Sequence, residues 1–77
     1  MKLDIISPEK VLYIGPAEMV MLPGLQSAFT ILKRHAPIIS GLDKGVLLYR
    51  NEGKEVSISI EGGFVEAKNN TITVCIE

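Results

Sequence analysis

Two side chains of this 77-residue sequence have the types that carry out nucleophilic or metal chemistry, the only histidine, His35, and the only cysteine, Cys75. A hydrolytic triad needs a nucleophile, a base and an orienting group, and 40 positions separate these two residues with no motif that pairs them. A zinc site needs three or four ligands, which one histidine, one cysteine and dispersed acids do not supply. We therefore expect neither a catalytic site nor a metal site.

The glycines are equally poor in catalytic signals. Gly62 and Gly63 occur in EGGFVE, but no Lys-Ser or Lys-Thr follows them as in a phosphate-binding loop. Two glycines at the start of an apolar alternating segment indicate instead a close approach of two backbones. The sequence favours a binding or structural protein over an enzyme, and we expect no cofactor.

Composition excludes further classes of protein. Nine acidic and eight basic residues give a net charge of -1, and the aromatic residues are only two Tyr and two Phe. Nucleic-acid binders normally carry a basic face with stacking aromatics, so nucleic acid is not an expected partner. Hydrophobic residues make up 47% of a chain that is long enough for one domain, residues 1–77. A domain this small buries only about 60% of its unfolded surface, so some apolar surface should remain outside for a partner.

Apolar and polar residues alternate with a period of two, which is typical of half-buried strands. These strands are the elements that hold the residues discussed above in place. The clearest segments are EVSISI, residues 55–60, and TITVCI, residues 71–76. The residues expected together on one inner face are Val56, Ile58, Ile60, Ile72, Val74 and Ile76, with Thr71, Thr73 and Cys75 facing out.

Turn signals separate these segments. Asn69-Asn70 is predicted to form a two-residue hairpin turn, because Asn tolerates positive φ, and Asn51-Glu52-Gly53 is predicted to form another turn. No stretch of 11 residues fits a helix without interruption. Short strands with frequent turns indicate an all-β sandwich or barrel. Strands are predicted at residues 2–7, 10–14, 18–22, 28–32, 38–42, 45–50, 55–60, 63–68 and 71–76.

Four segments in a fixed order carry a family resemblance: EMVMLPG (18–24), FTILKRHAP (29–37), GLDKGVL (41–47) and GGFVEAKNNTITV (62–74). With the opening MKLDIISPEKVLY they resemble the N-terminal β-sandwich domain of the epsilon subunit of the F-type ATP synthase, over the whole chain. Each segment alone is a weak signal, whereas the ordered set with its spacing is specific.

The resemblance implies a two-sheet β-sandwich of about nine to ten short strands, in a non-catalytic rotor subunit of the central stalk. One side would pack against the gamma subunit and one end would touch the polar loops of the c-ring, so that the subunit helps couple proton flow to ATP synthesis. The protein would then be peripheral on the cytoplasmic face of the bacterial plasma membrane, through the complex. The alternative is a free-standing β module that binds a ligand or an oligonucleotide, and the missing basic groove and aromatic platform count against it.

The resemblance also implies two sets of contact residues. His35 would either contact gamma or hydrogen-bond within its own turn. Leu25 would either tuck under its loop or be offered to a partner. Phe29 would either contact the c-ring or turn into the core. The expected c-ring contacts are Leu25, Gln26, Ser27, Ala28 and Phe29, and the expected gamma contacts are Ser7, Lys33, Arg34, His35, Ala36, Pro37 and Ser40.

Three features depart from the family pattern. The family usually continues into a helical domain that restrains ATP hydrolysis and in some members binds ATP. This sequence stops at Glu77, so inhibition and nucleotide binding are not expected of it. Ser27 and Thr30 stand where glycines are usual, and Lys33-Arg34 stand where the family usually has Pro-Gly or Pro-Asn before His-Ala-Pro.

Overall fold

The computed structural model describes residues 1–77 as strands and turns without any helix. None of its segments is a helix long and apolar enough to cross a membrane. All nine predicted strands are present, and their ends lie within two residues of the predicted ends. The strands are β1 (Lys2–Ile6), β2 (Val11–Pro16), β3 (Met19–Pro23), β4 (Ala28–Leu32), β5 (Ile38–Leu42), β6 (Gly45–Asn51), β7 (Lys54–Ile60), β8 (Gly63–Lys68) and β9 (Thr71–Ile76).

The strands form two sheets, which confirms the predicted all-β sandwich. One sheet has five strands in the order β2-β1-β9-β8-β5, and the other has four in the order β4-β3-β6-β7. β1 and β9 are parallel, and all other neighbours are antiparallel. Because successive side chains point to opposite faces of a strand, each sheet contributes every second residue to the core between them. The most deeply buried large side chains are Leu3, Ile5, Val20, Leu22, Ile31, Leu47, Val65, Ile72 and Val74.

The predicted single inner face is wrong in its composition. Ile72, Val74 and Ile76 are buried in β9 of the five-stranded sheet, whereas the alternating residues of β7 belong to the other sheet and face them across the core. Within β7 only Ile60 is buried, and Val56 is 40% exposed. β7 is an edge strand of its sheet, so its side chains lack neighbours on one side.

Two turns use the backbone conformations that their residues predicted. Asn69 and Asn70 have φ of 51° and 60° and connect β8 to β9 as a two-residue hairpin. Glu52 and Gly53, with φ of 52° and 76°, do the same between β6 and β7, so this turn is one residue shorter than the predicted one. Positive φ at both central residues gives a twist that matches the flanking strands.

A tyrosine pair joins the two sheets on the β2 side. Tyr13 of β2 stacks on Tyr49 of β6, with ring centroids 4.4 Å apart and planes inclined by 30°. The Tyr13 hydroxyl donates to the carbonyl of Pro16 at 2.7 Å, which fixes the ring from its own strand. Burial raises the pKa of Tyr49 above its ordinary value of 10.0, and the charge that Tyr13 acquires on ionisation raises it further.

Candidate interaction surface

The β3–β4 loop, residues 24–27, is anchored to the end of β5 by the backbone. Gly24 forms a β-bridge with Leu42, and the amide of Leu25 donates to the carbonyl of Gly41 at 3.3 Å. The amide of Asp43 donates to the carbonyl of Pro23 at 2.7 Å. These bonds tie the four-stranded sheet to the five-stranded sheet, so the loop sits on a fixed support.

Leu25 adopts both arrangements that the sequence left open. A Cβ built on Gly41 would lie 2.6 Å from Leu25 Cδ1, so the tip of this side chain covers Gly41. The residue is nevertheless 64% exposed. Gln26, Ser27 and Ala28 are exposed beside it. Together these residues present one apolar side chain on a polar, rigidly supported loop.

Phe29 differs from the four residues before it. It pairs with buried Leu22 on the inner face of the four-stranded sheet and packs partly buried against the core. Its ring also passes close to Gly24, where an added Cβ would lie 2.8 Å from the ring. Phe29 therefore packs against the core beneath the loop, which is the core alternative left open for it.

The expected glycine positions in this region do not require glycine. Neither Ser27 nor Thr30 has a positive φ, so the chain follows its path here with ordinary residues. Arg34 is different, because its φ of 67° lies in the left-handed region that favours Gly or Asn. The departure at Arg34 thus imposes backbone strain, whereas those at Ser27 and Thr30 do not.

The His35 ring bonds within its own turn. Its Nδ1 lies 3.0 Å from the carbonyl oxygen of Ala36, which is the local alternative considered for it. A ring nitrogen must carry a proton to donate to a carbonyl, so this contact makes Nδ1 the protonated nitrogen. Nε2 is then left buried without a partner. Lys33, Arg34, Ala36 and Pro37 around it are exposed.

The two serines expected near gamma are occupied locally. The Ser7 hydroxyl donates to the carbonyl of Lys10 at 3.1 Å and accepts from the Lys10 amide at 3.2 Å, closing the β1–β2 turn. The Ser40 hydroxyl donates to the carbonyl of Gly41 at 3.0 Å. Both are half-buried, so each shapes the backbone around it.

The structure does not gather the expected residues into one cluster. Loop 24–27 meets the end of β5, and loop 33–37 precedes its start, so about 14 Å of strand separates them. Ser7 lies at the same end as loop 24–27, but β8 and β9 stand between β5 and β1, which is again about 14 Å. The three sites thus occupy three corners of the five-stranded sheet.

An apolar row between these corners was not predicted. It runs across the outer face of the five-stranded sheet, one residue from each strand, because the strand register places these residues opposite one another. Phe64, next to the Gly41 end of the row, is 52% exposed, and Leu25 covers Gly41 itself. The outer row consists of Gly41, Phe64, Cys75, Ile6 and Val11.

The adjacent row adds a polar atom to this face. It consists of Ile39, Glu66, Thr73, Asp4 and Ile14. Ile39 is 79% exposed. Asp4 is half-buried, and its Oδ1 is buried without a hydrogen-bond partner. Its other oxygen, Oδ2, lies 3.7 Å from Lys2 Nζ. A buried carboxylate oxygen without a donor costs free energy, so Asp4 is an unsatisfied polar group beneath this face.

One sequence signal would have identified this row. In GFVEAK, Val65 and Ala67 alternate inward, which places Phe64 on the outer face, where a large aromatic residue needs an explanation. The joining of five strands into one row has no such local signal. It depends on the register between segments that are far apart in the sequence.

The residues considered for catalysis lie apart. His35 and Asn70 line the same cleft at one end of the five-stranded sheet, whereas Cys75 lies four residues along β9 from Thr71, about 13 Å away. No three His, Cys, Asp or Glu side chains are grouped so that they could hold a metal ion. Gly63, by contrast, has the predicted close backbone approach, because a Cβ there would lie 2.1 Å from the carbonyl oxygen of Cys75.

Comparison with known families gives one full-length match. The family model described as the β-sandwich domain of the ATP synthase delta/epsilon chain matches residues 1–77. The chain is 43% identical over 74 residues to the ATP synthase epsilon chain of Leptospira borgpetersenii, covering 96% of this chain and 58% of that protein. It is 40% identical over 76 residues to the epsilon chain of a Synechococcus species, covering 99% and 55%. The chain thus spans little more than half the length of these relatives.

Solved structures share the fold. A chain of the mitochondrial ATP synthase of Euglena gracilis superposes with a TM-score of 0.90 at 18% identity, covering 96% of this chain and 48% of that one. A chain of the Tetrahymena thermophila ATP synthase central stalk and c-ring assembly gives a TM-score of 0.83 at 17% identity, covering 99% and 62%. At such low identity these likenesses concern the fold alone.

Proposed function

The chain belongs to the family of ATP synthase delta/epsilon-chain β-sandwich domains, and on this premise we propose that it is a central-stalk rotor domain linking the gamma subunit to the c-ring. It contributes no catalytic group and no ion pathway of its own. Its role is mechanical, because it holds two partners at fixed positions on one rigid sandwich. As part of the complex it is peripheral on the cytoplasmic face of a bacterial plasma membrane, where it helps couple proton flow to ATP synthesis.

The outer face of the five-stranded sheet is the proposed gamma surface. The observation that carries this assignment is the row from Gly41 to Val11, which includes the exposed aromatic side chain of Phe64. Exposed apolar surface on a small domain marks a binding site, and aromatic residues dominate the energy of such contacts. Ser7, Ser40 and His35 lie around the border of this face.

The β3–β4 loop is the proposed c-ring surface. It lies at the end of the sandwich, held by the backbone bonds to Gly41 and Asp43 described above. A rotor contact must resist torque, and a loop fixed between two sheets moves less than one joined only to its own hairpin. Leu25 supplies the apolar contact, and Gln26 and Ser27 supply a polar rim that suits the polar loops of the c-ring.

Co-purification tests the gamma surface. The tagged chain is co-expressed with the gamma subunit from the same genome, and the captured gamma is quantified. Phe64→Asp should reduce gamma capture at least about tenfold, because it places a charge in the centre of an apolar contact. Val46→Asp is the matched control, because Val46 is 53% exposed on the outer face of the four-stranded sheet. Equal capture by the two variants, with both folded, would show that gamma binds elsewhere.

Disulfide cross-linking in membranes tests both partners together. Cys75→Ser first removes the only cysteine, and Ala28→Cys or His35→Cys is then introduced. Ala28→Cys should trap the c-subunit, and His35→Cys should trap gamma. A chain that folds, assembles and traps neither partner would refute the interface assignment. A chain that never co-purifies with gamma at all would instead favour the free-standing binding module.

A further inference from the structure

A basic cleft lies at the end of the sandwich opposite loop 24–27, and three of its residues, Lys33, Arg34 and His35, are among the expected gamma contacts. Its volume is about 220 Å³, and no hydrophobic residue lines it. Its two cations come from the β4–β5 turn, which joins the two sheets, and the amide side chain comes from the β8–β9 turn of the five-stranded sheet. The lining residues are Lys33, Arg34, His35 and Asn70.

The positive charge of this cleft is not neutralised within the chain. The three ion pairs of the structure join Lys2 to Asp4, Lys44 to Glu61 and Arg50 to Glu55. None involves Lys33 or Arg34, and no acidic side chain lines the cleft. Two adjacent cations without counter-charges attract an anion, and a guanidinium binds the oxygens of an oxyanion in a fixed geometry.

The histidine of the cleft supplies the second observation. Its Nδ1 is committed to the carbonyl of Ala36, and its Nε2 is buried with no partner. In the neutral ring with Nδ1 protonated, Nε2 is an acceptor, and none of the donors that line the cleft is hydrogen-bonded to it. Protonation turns Nε2 into a donor, and an anion in the cleft would satisfy it. Lys33 and Arg34 are exposed, so their side chains can rearrange around an anion in the cleft.

We propose that Lys33, Arg34, His35 and Asn70 form a binding site for an oxyanion of the phosphate type, which binds more tightly when the imidazole is protonated. Three of these residues are also expected gamma contacts, but anion binding requires only the chain itself and is measured without gamma. The other ionisable groups on the strands and turns beside the cleft are Lys2, Asp4, Glu18, Glu66, Lys68 and the amino group of Met1.

An NMR titration of the 77-residue chain tests the site. Sulfate is the first probe, because its charge does not change between about pH 5.5 and about pH 8, where imidazole side chains titrate. Saturable shifts of the amides of Arg34, His35 and Asn70 are expected at constant ionic strength. The affinity should fall about fivefold from the lower to the higher pH, which corresponds to the loss of one charge-assisted hydrogen bond. Phosphate should compete for the same site, and acetate should bind more weakly.

Three variants separate the contributions. His35→Gln should abolish the dependence of the affinity on pH while leaving some binding, because the two cations remain. Lys33→Gln should weaken sulfate binding about threefold to fivefold at both pH values, as expected for a partly exposed charge. Lys54→Gln, which removes an exposed lysine without an ion pair on the edge of the other sheet, should change nothing.

Several results would overturn the proposal. Shifts spread evenly over all lysine-containing segments would mean general ionic screening. A Lys33→Gln variant that binds sulfate like the parent chain would show that Lys33 is not part of the site. A His35→Gln variant that keeps the full pH dependence would show the same of His35. Acetate that binds as tightly as sulfate would refute the phosphate-type class. None of these results depends on whether the chain binds gamma, so the two proposals fail separately.

Discussion

Leu25 and Gly41 fit against each other where the β3–β4 loop crosses the end of β5, and the absence of a side chain at Gly41 is what admits the leucine. A Cβ at Gly41 would lie 2.6 Å from Leu25 Cδ1 and 3.3 Å from its Cγ. The backbone of Gly41 has no positive φ, so its conformation accepts other residues. The pairing joins the proposed c-ring loop to the outer row of the five-stranded sheet, so the two proposed partner surfaces meet at these residues.

Gly41→Ala should therefore displace the β3–β4 loop while changing the free energy of unfolding only slightly. The exposed tip of Leu25 can swing away, and we expect the free energy of unfolding to change by less than about 0.5 kcal/mol. Cross-linking from Ala28→Cys to the c-subunit should fall, because the loop is displaced. Gly63→Ala is the contrasting variant, because its φ is 145° and its Cβ would meet the Cys75 carbonyl oxygen. It should cost about 3 kcal/mol or more in a urea melt. Similar losses for both variants would contradict this account.

Val74→Ala should destabilise the sandwich by about 1–3 kcal/mol, because Val74 is fully buried between the two sheets. Its neighbour Thr73 faces out, and Thr73→Ala should cost well under that amount. Urea denaturation of both variants measures the difference. Equal losses would show that the register of β9 is reversed.

Arg34→Gly should stabilise the chain, because φ at Arg34 is 67°. A non-glycine residue in the left-handed region costs about 1–2 kcal/mol. Glycine avoids this cost, but its greater freedom in the unfolded chain offsets part of the gain. A net gain of up to about 1 kcal/mol is expected from thermal or urea melts. Lys33→Gly has no such strain to relieve and should destabilise instead. A loss of stability in both variants would rule out strain at Arg34.

Stability should fall at alkaline pH through Tyr49. Burial and the adjacent Tyr13 raise the pKa of Tyr49 above 10.0 in the folded chain. The folded state therefore holds this proton more tightly than the unfolded state. The resulting contribution is fully present below pH 10.0 and is lost as the pH rises through the folded pKa. Urea melts from about pH 8 to about pH 11 measure the loss, which Tyr49→Phe should reduce while retaining the stacked ring. An unchanged pH profile in Tyr49→Phe would assign the loss to other groups.

The strands and tight turns were readable from the sequence because the rules behind them are local. Burial of one face of a strand imposes a period of two over five to seven residues, and TITVCI shows it without interruption. Asn69-Asn70 reached the predicted hairpin conformation because the preference for positive φ belongs to the residues themselves. The loops at 24–27 and 33–37 were recognised from motifs in the sequence, whereas their positions at the two ends of β5 are seen only in the structure.

The order of the strands decided which residues share a surface and how exposed they are. This order depends on which distant segments of the chain pair. Alternation placed Val56 on an inner face, but the position of β7 at an edge left it 40% exposed. Phe64 and Ile6 are 58 residues apart in sequence, yet both pair with Cys75 and thereby become parts of one outer row. The same pairing separates the expected contact residues into three corners around that row. Alternation in the sequence determined which side chains would point outward together on each strand, and only the tertiary pairing decided which of those strands share a surface.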